Sequence, residues 1–230
     1  MSQLYDYTYR ILIIGDSNVG KTHLISNYVS NKNISNQIFS PTIGVDFHAK
    51  LISTYSKKIK LHIWDTSGDK NFKNIVRAYY TSVAASVIVY DITRRESFEH
   101  IKIWLEEFRK KTQNLCDIPI LVIGNCPTNK RKRQVEKYEL EQFGELHNTM
   151  IAEAESCEMT HLHNIFQPLW DKITNKFVST EKYNPGVKRL TRELFLPKLS
   201  QSRNPMHTPQ KHNPKPKSMN KHNDLACVIF

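Results

Sequence analysis

Apolar and polar positions alternate along most of this chain in two periods. Ile11-Leu12-Ile13-Ile14 is a continuous apolar run that reads as a buried strand, and Leu24, Ile25, Tyr28 and Val29 follow at helical spacing. Val45 to Ser53 and Lys57 to Trp64 are strand patterns separated by a short polar turn, the signature of a hairpin. Phe72 to Tyr80 reads as an irregular helix and Ala84 to Ile92 as a buried strand. Phe98, Ile101, Trp104, Leu105 and Phe108 form the stripe of an amphipathic helix, with Lys102, Glu106, Glu107 and Arg109 facing out. Ile118 to Gly124 predicts a strand, Lys137 to Leu146 a helix and Thr149 to Ala154 a short strand. A last helix is expected from about Asn164 to Val178, with Pro168 near its first turn, where proline costs least. Strands alternating with helices predict an α/β fold: a mostly parallel, six-stranded sheet covered on both faces, with ligands at the carboxyl ends of its strands.

The pattern lapses at Glu181. Six of the ten prolines (Pro185, Pro197, Pro205, Pro209, Pro214 and Pro216) lie beyond it, among Lys, His, Asn and Ser. Such a segment buries too little surface to offset its ordering entropy, so residues 1–180 are expected to form the domain and residues 181–230 a disordered tail. The net charge of +11 is concentrated there, since residues 181–226 hold ten Lys/Arg against three Asp/Glu. No aromatic residue interrupts the Lys/Arg between 200 and 226, which argues against nucleic acid as the partner. Cys116, Cys126, Cys157 and Cys227 have no zinc or redox spacing, the apolar runs are far short of a membrane span, and Met1 to Arg10 lacks the apolar core of a signal peptide. A reducing cytosolic compartment is expected.

Candidate chemistry centres on Gly15-Asp16-Ser17-Asn18-Val19-Gly20-Lys21-Thr22. It matches G-x-x-x-x-G-K-[ST] at a strand-to-helix turn, the setting this phosphate-binding loop requires. Gly15 and Gly20 let successive N–H groups curl round a phosphate at the positive end of a helix. Lys21 would reach the β and γ phosphates, and the Thr22 hydroxyl would ligate Mg²⁺. Asp65-Thr66-Ser67-Gly68 closes a strand 43 residues after Thr22, with Thr42 between them as a further Mg²⁺ candidate. An acidic residue in that place, followed by glycine, holds the far side of the metal and senses the last phosphate. Asn125 ends another strand at the same edge, so three distant segments converge.

Taken in order, GDSNVGKT, PTIGVDF (41–47), LHIWDTSG (61–68), YY (79–80), VIVYDIT (87–93) and ESFEHIKIWL (96–105) resemble the Rab branch of the Ras-like small GTPases. The resemblance implies a P-loop NTPase fold and a GTP/GDP switch. Thr42 would close on Mg²⁺ and the γ-phosphate and Gly68 would donate its N–H, both segments releasing after hydrolysis. It also makes Phe47, Trp64 and Tyr79 the aromatic triad presented to effectors, and implies an exchange factor and a GTPase-activating protein. Three positions depart from the family. Asp69 stands where a glutamine orients the attacking water, and a second negative charge about 4 Å from a phosphate repels by roughly 4 kcal/mol at an effective dielectric near 20. Asn125-Cys126-Pro127-Thr128 replaces Asn-Lys-x-Asp. Losing that charge-assisted bond, worth roughly 1.5–3 kcal/mol, should weaken guanine preference about ten- to a hundredfold. The family's Ser-Ala-Lys loop falls on Glu155-Ser156-Cys157 or Ser156-Cys157-Glu158, and the lysine is missing in both registers. The stretch from Thr22 to Thr42 is also longer than is usual in Rabs. Slow hydrolysis is the expectation, or a scaffold that occupies effectors without cycling.

Cys227-Val228-Ile229-Phe230 fits C-a-a-X with a terminal Phe, which favours geranylgeranylation of Cys227. One lipid chain anchors marginally, and the basic tail supplies the second signal at roughly 1 kcal/mol per basic residue near an anionic leaflet. The expected location is the cytoplasmic face of a membrane, with a cytosolic pool.

Overall fold

A computed structural model describes residues 5–30, 39–112, 118–126, 132–155 and 159–190. Strand β1 (Tyr7–Ile14) runs through a tight loop into helix α1 (Lys21–Ser30). Strands β2 (Val45–Thr54) and β3 (Lys57–Thr66) form the antiparallel hairpin. Tyr55 and Ser56 at its tip have φ of 45° and 59°, the two positive values of a type I′ turn, whose twist matches the strands it joins. A 3-10 turn (Lys70–Phe72) and α2 (Lys73–Ala78) lead to β4 (Ala85–Asp91). Helices α3 (Arg95–Glu99) and α4 (Ile101–Lys111), strand β5 (Ile120–Cys126), helix α5 (Lys137–His147) and strand β6 (Met150–Glu155) follow. Helix α6 (Met159–Ile173) continues into a π-helical turn (Thr174–Val178), and β7 (Val187–Arg189) ends the described chain.

The strands lie in the order β2-β3-β1-β4-β5-β6, with β7 paired to β1. All pairings are parallel except β2 with β3 and β7 with β1. This is the expected open α/β sheet with one short strand added. Alternation along β1 sends Tyr9, Ile11 and Ile13 into one core with Leu24, Tyr28, Phe166 and Trp170, while Leu12 and Ile14 join Val76, Leu105, Phe108 and Leu140 in the other. Every residue of β4 is buried, as a central parallel strand requires.

Three expectations need correction. The last helix starts at Met159, not near Asn164, so Pro168 is the tenth of its 15 residues. Burial of Leu162, Ile165, Phe166, Leu169 and Trp170, at about 1.5–3 kcal/mol each, outweighs the ~3 kcal/mol cost of an interior proline. Residue 180 does not end the folded unit, which among the described residues runs on through β7 to Leu190. Val187 to Arg189 pair with Tyr7 to Tyr9, and Arg10 N–H and Leu190 N–H donate to Gly186 O and Asp6 O at 2.9 and 2.8 Å. A side chain at Gly186 would run into the backbone of Val83 and Ala84, so glycine is what lets the strap close. The third correction is Glu107, whose side chain is only 13% exposed and pairs with Lys73 and Arg77 of α2 at 2.7 and 2.9 Å.

Candidate nucleotide site

The loop between β1 and α1 is shaped by its neighbours. Gly15 has φ +140° and Gly20 φ +89°, and a Cβ on Gly15 would strike Val89 O. One on Gly20 would strike the Asn125 side chain, whose Nδ2 donates to Val19 O at 2.9 Å. Asn125 thus pins the loop to the end of β5, which is why those two segments meet. Asn18 supplies a third left-handed position, with φ 59°. Gly68 lies against the Asp16–Ser17 peptide with no room for a side chain. Three of the expected segments therefore come together, joined through its hydroxyl by Thr42 from just ahead of the hairpin.

Within this cluster the Thr22 hydroxyl donates to Asp65 Oδ2 at 2.5 Å and lies 2.9 Å from the Thr42 hydroxyl, with Thr42 Oγ1 3.5 Å from the same carboxylate. Asp65 is fully buried, and its Oδ1 has no hydrogen-bond partner among the described residues. Burial raises its pKa, opposed by the Thr22 hydrogen bond and the Lys21 charge. Two hydroxyls and a carboxylate with an uncommitted oxygen form the hard donor set that magnesium takes. Lys21 Nζ folds onto Gly15 O and Asp16 O at 2.9 and 2.6 Å. Burial pulls its pKa down to about 8 against the opposing pull of Asp65 and Asp16. An ammonium desolvated this far favours an anion beside it.

Asp16 itself is held from α3 and α4. Its carboxylate accepts from Trp104 Nε1 at 2.8 Å and contacts His100 Nδ1 at 2.7 Å, while Arg94 Nη1 donates to Ser17 O at 3.0 Å. Sequence spacing gave no signal for these partners, which lie 84 and 88 residues from Asp16. Asp69 lines the cleft beside Gly68, with one carboxylate oxygen committed to its own turn. Its Oδ1 accepts the Asn71 N–H at 2.8 Å and caps the 3-10 turn, with φ −75° and ψ 133°. Phe47, Trp64 and Tyr79 form a chain of rings with centroids 5.0 Å apart at both steps, Phe47 being 45% exposed. The Arg10 guanidinium lies 5.1 Å from the Trp64 ring and 5.8 Å from that of Tyr79. Thr128, Ser156, Cys157 and Cys227 lie outside the described residues.

A profile of the Ras family matches residues 10–175, the span that carries the loop, Asp65 and Asn125. The chain belongs to the Ras family of small GTPases. It is Rab-like: the Ras-related protein Rab-2B of Dictyostelium discoideum is 37% identical to it over 186 residues, 81% of this chain and 88% of that protein. This small GTPase is thus a GTP-binding protein of the switch type, with Thr42 drawn onto Thr22 and Asp65 in the conformation described. No helix of the GTPase among the described residues is long and apolar enough to cross a membrane.

Proposed function

We propose that this GTPase is a lipid-anchored switch in membrane and vesicle traffic, loaded with GTP or GDP and Mg²⁺, that hydrolyses GTP slowly and reads guanine loosely. The observation that carries the reading is the convergence of Lys21, Thr22, Thr42 and Asp65 at the mouth of the β1–α1 loop. Bound Mg²⁺ supplies charge neutralisation across the phosphates. Lys21 and the N–H groups of the Gly15 to Thr22 loop would hold the phosphate tail, Thr22, Thr42 and Asp65 (the last through water) would hold the metal, and Gly68 would meet the last phosphate. Asn125, Thr128 and a backbone N–H from Ser156 or Cys157 would face the base.

Asp69 supports slow hydrolysis, because its carboxylate is engaged at the Asn71 N–H and carries the wrong charge to orient a nucleophile beside a phosphate. The ring chain of Phe47, Trp64 and Tyr79 would receive effectors, and an exchange factor and a GTPase-activating protein would act on the segments around Thr42 and Asp69. Cys227 would carry a geranylgeranyl group, and the basic residues before it would hold the chain to an anionic leaflet. The same Asp69 cap also favours the second reading, a scaffold that does not cycle.

Mass spectrometry of the nucleotide that co-purifies, followed by calorimetry with GTP, GDP and ATP in magnesium, tests the proposal. GTP or GDP in the purified protein, with ATP competing measurably against GTP, is the expected result. No heat with any purine nucleotide at millimolar concentration would overturn it.

A further inference from the structure

Strand register places an unusual set of side chains on one face of the sheet. Phe47, Ala49, Leu51 and Ser53 of β2 stand opposite Trp64, His62, Lys60 and Lys58 of β3. Arg10 and Thr8 of β1 are in register with His62 and Lys60, and Lys188 of β7 is in register with Thr8. Paired residues share a face, so Arg10, Lys58, Lys60 and Lys188 lie on the same side below the aromatic rings. Among the described residues α1 is the helix in substantial contact with β2 and β3, and it packs into the core on the opposite face with Ile59, Leu61 and Ile63. Lys58, Lys188, Leu51 and Phe47 are all exposed.

Ion pairs do not tie these cations down. Among the described residues, none of Arg10, Lys58, Lys60 and Lys188 has a carboxylate within ion-pair distance. Lys60 instead lies 5.4 Å from the Tyr5 ring. Asp6, at the lower rim, spends one carboxylate oxygen on the Lys58 N–H at 2.8 Å. The His62 pKa is lowered, first by burial and then by Lys60, Arg10 and Lys188, so the cations act on one locality.

The occupant is indicated by where the described chain stops. Leu190 is bonded to Asp6 at the edge of this face, and the 40 residues that follow it carry seven Lys/Arg against two Asp/Glu. Like charge disfavours that segment as the cover. A cationic face and a cationic segment beginning at its edge would both be drawn to one broad anionic surface. We propose that the face formed by β2, β3, β1 and β7 is a contact with an anionic membrane surface, additional to any made by the residues after Leu190, and competes with partners for the rings of Phe47, Trp64 and Tyr79. Laid flat, the domain would present those rings to the bilayer, so effector access would require the face to lift. The inference rests on the membrane part of the reading above, and using unlipidated protein makes its failure separate from a failure of lipidation at Cys227.

The test is co-sedimentation of the full, unlipidated chain with vesicles of phosphatidylcholine containing about 30% phosphatidylserine. The triple variant Lys58→Glu, Lys60→Glu, Lys188→Glu is compared with a control of equal charge change on other surfaces, Lys110→Glu, Lys111→Glu, Lys137→Glu. Both are first shown to melt like the wild type. At roughly 1 kcal/mol per basic residue near the surface, the face variant should partition at least tenfold more weakly than the wild type and the control less than threefold. Equal losses in both would mean net charge alone acts, and no loss in the face variant would mean the tail suffices; either overturns the proposal. If the face variant keeps vesicle binding but loses capture of a ten-residue polyglutamate peptide, the face is a protein-docking site and the membrane assignment is wrong.

Discussion

Replacing Asp69 with glutamine separates the two roles this position can have. The carboxylate caps the 3-10 turn through Oδ1 to Asn71 N–H at 2.8 Å, and loss of such a cap costs about 0.5–2 kcal/mol. Glutamine is a poor N-cap, so the turn should fray. In a domain of this size each kcal/mol lowers the melting temperature by about 2–4 °C, and the Asn71 amide should exchange faster with deuterium. Chemistry should move the other way. Charge repulsion of roughly 4 kcal/mol at 4 Å and an effective dielectric of 20 is an upper bound for an exposed side chain turned toward its own turn. Relief of about a third of it is worth tenfold in rate. Single-turnover hydrolysis of GTP by Asp69→Gln is therefore expected to be about tenfold faster than wild type, in a less stable protein. Asp69→Asn keeps the cap without the charge, so it should match wild-type stability and gain an intermediate rate. A glutamine variant that is no faster than wild type refutes the catalytic half of this reasoning. One with unchanged Asn71 exchange refutes the structural half.

Other expected outcomes follow from the same geometry. Lys21 binds fewer protons folded than unfolded between about pH 8 and its ordinary value of 10.5, so nucleotide-free protein should gain stability as pH rises through that window and lose it as pH falls through 8. The gain is at most about 3 kcal/mol, and urea midpoints of wild type and Lys21→Met at several pH values measure it; parallel curves would contradict it. Gly186→Ala should unseat β7, lowering the melting temperature by several degrees and opening residues near Asn184 to protease while nucleotide affinity stays within threefold. Glu107→Ala frees Lys73 and Arg77. Both partners reach Glu107 from the solvent side, where such pairs contribute little, so the change should show as faster amide exchange in α2 with little loss of global stability. Gly20→Ala forces a side chain against Asn125 at φ +89° and should weaken GTP binding at least a hundredfold by calorimetry.

The alternating core, the hairpin and the phosphate loop were legible in sequence because each rests on local periodicity or on a fixed glycine and lysine spacing. What was not legible depends on contacts between distant segments. Pro168 points to a helix that starts later than Met159 until the buried stripe through Trp170 is seen to outweigh it. Three residues after Pro185-Gly186 make a strand only because β4 covers β1 from Ile11 onward and leaves Tyr7 to Tyr9 open on that side. The hold of Trp104 and His100 on Asp16 depends on how α4 packs, which amphipathic spacing does not specify.

Because β7 returns to β1, the first and last described residues are neighbours: Leu190 N–H reaches Asp6 O at 2.8 Å. The folded unit is topologically almost a ring, and a short bridge from 190 to 5 with a cut at Tyr55-Ser56 should give a circular permutant that still folds. A fluorescent protein fused ahead of Tyr5 would sit beside Leu190 and β7, whereas the permutant carries its label at the hairpin tip.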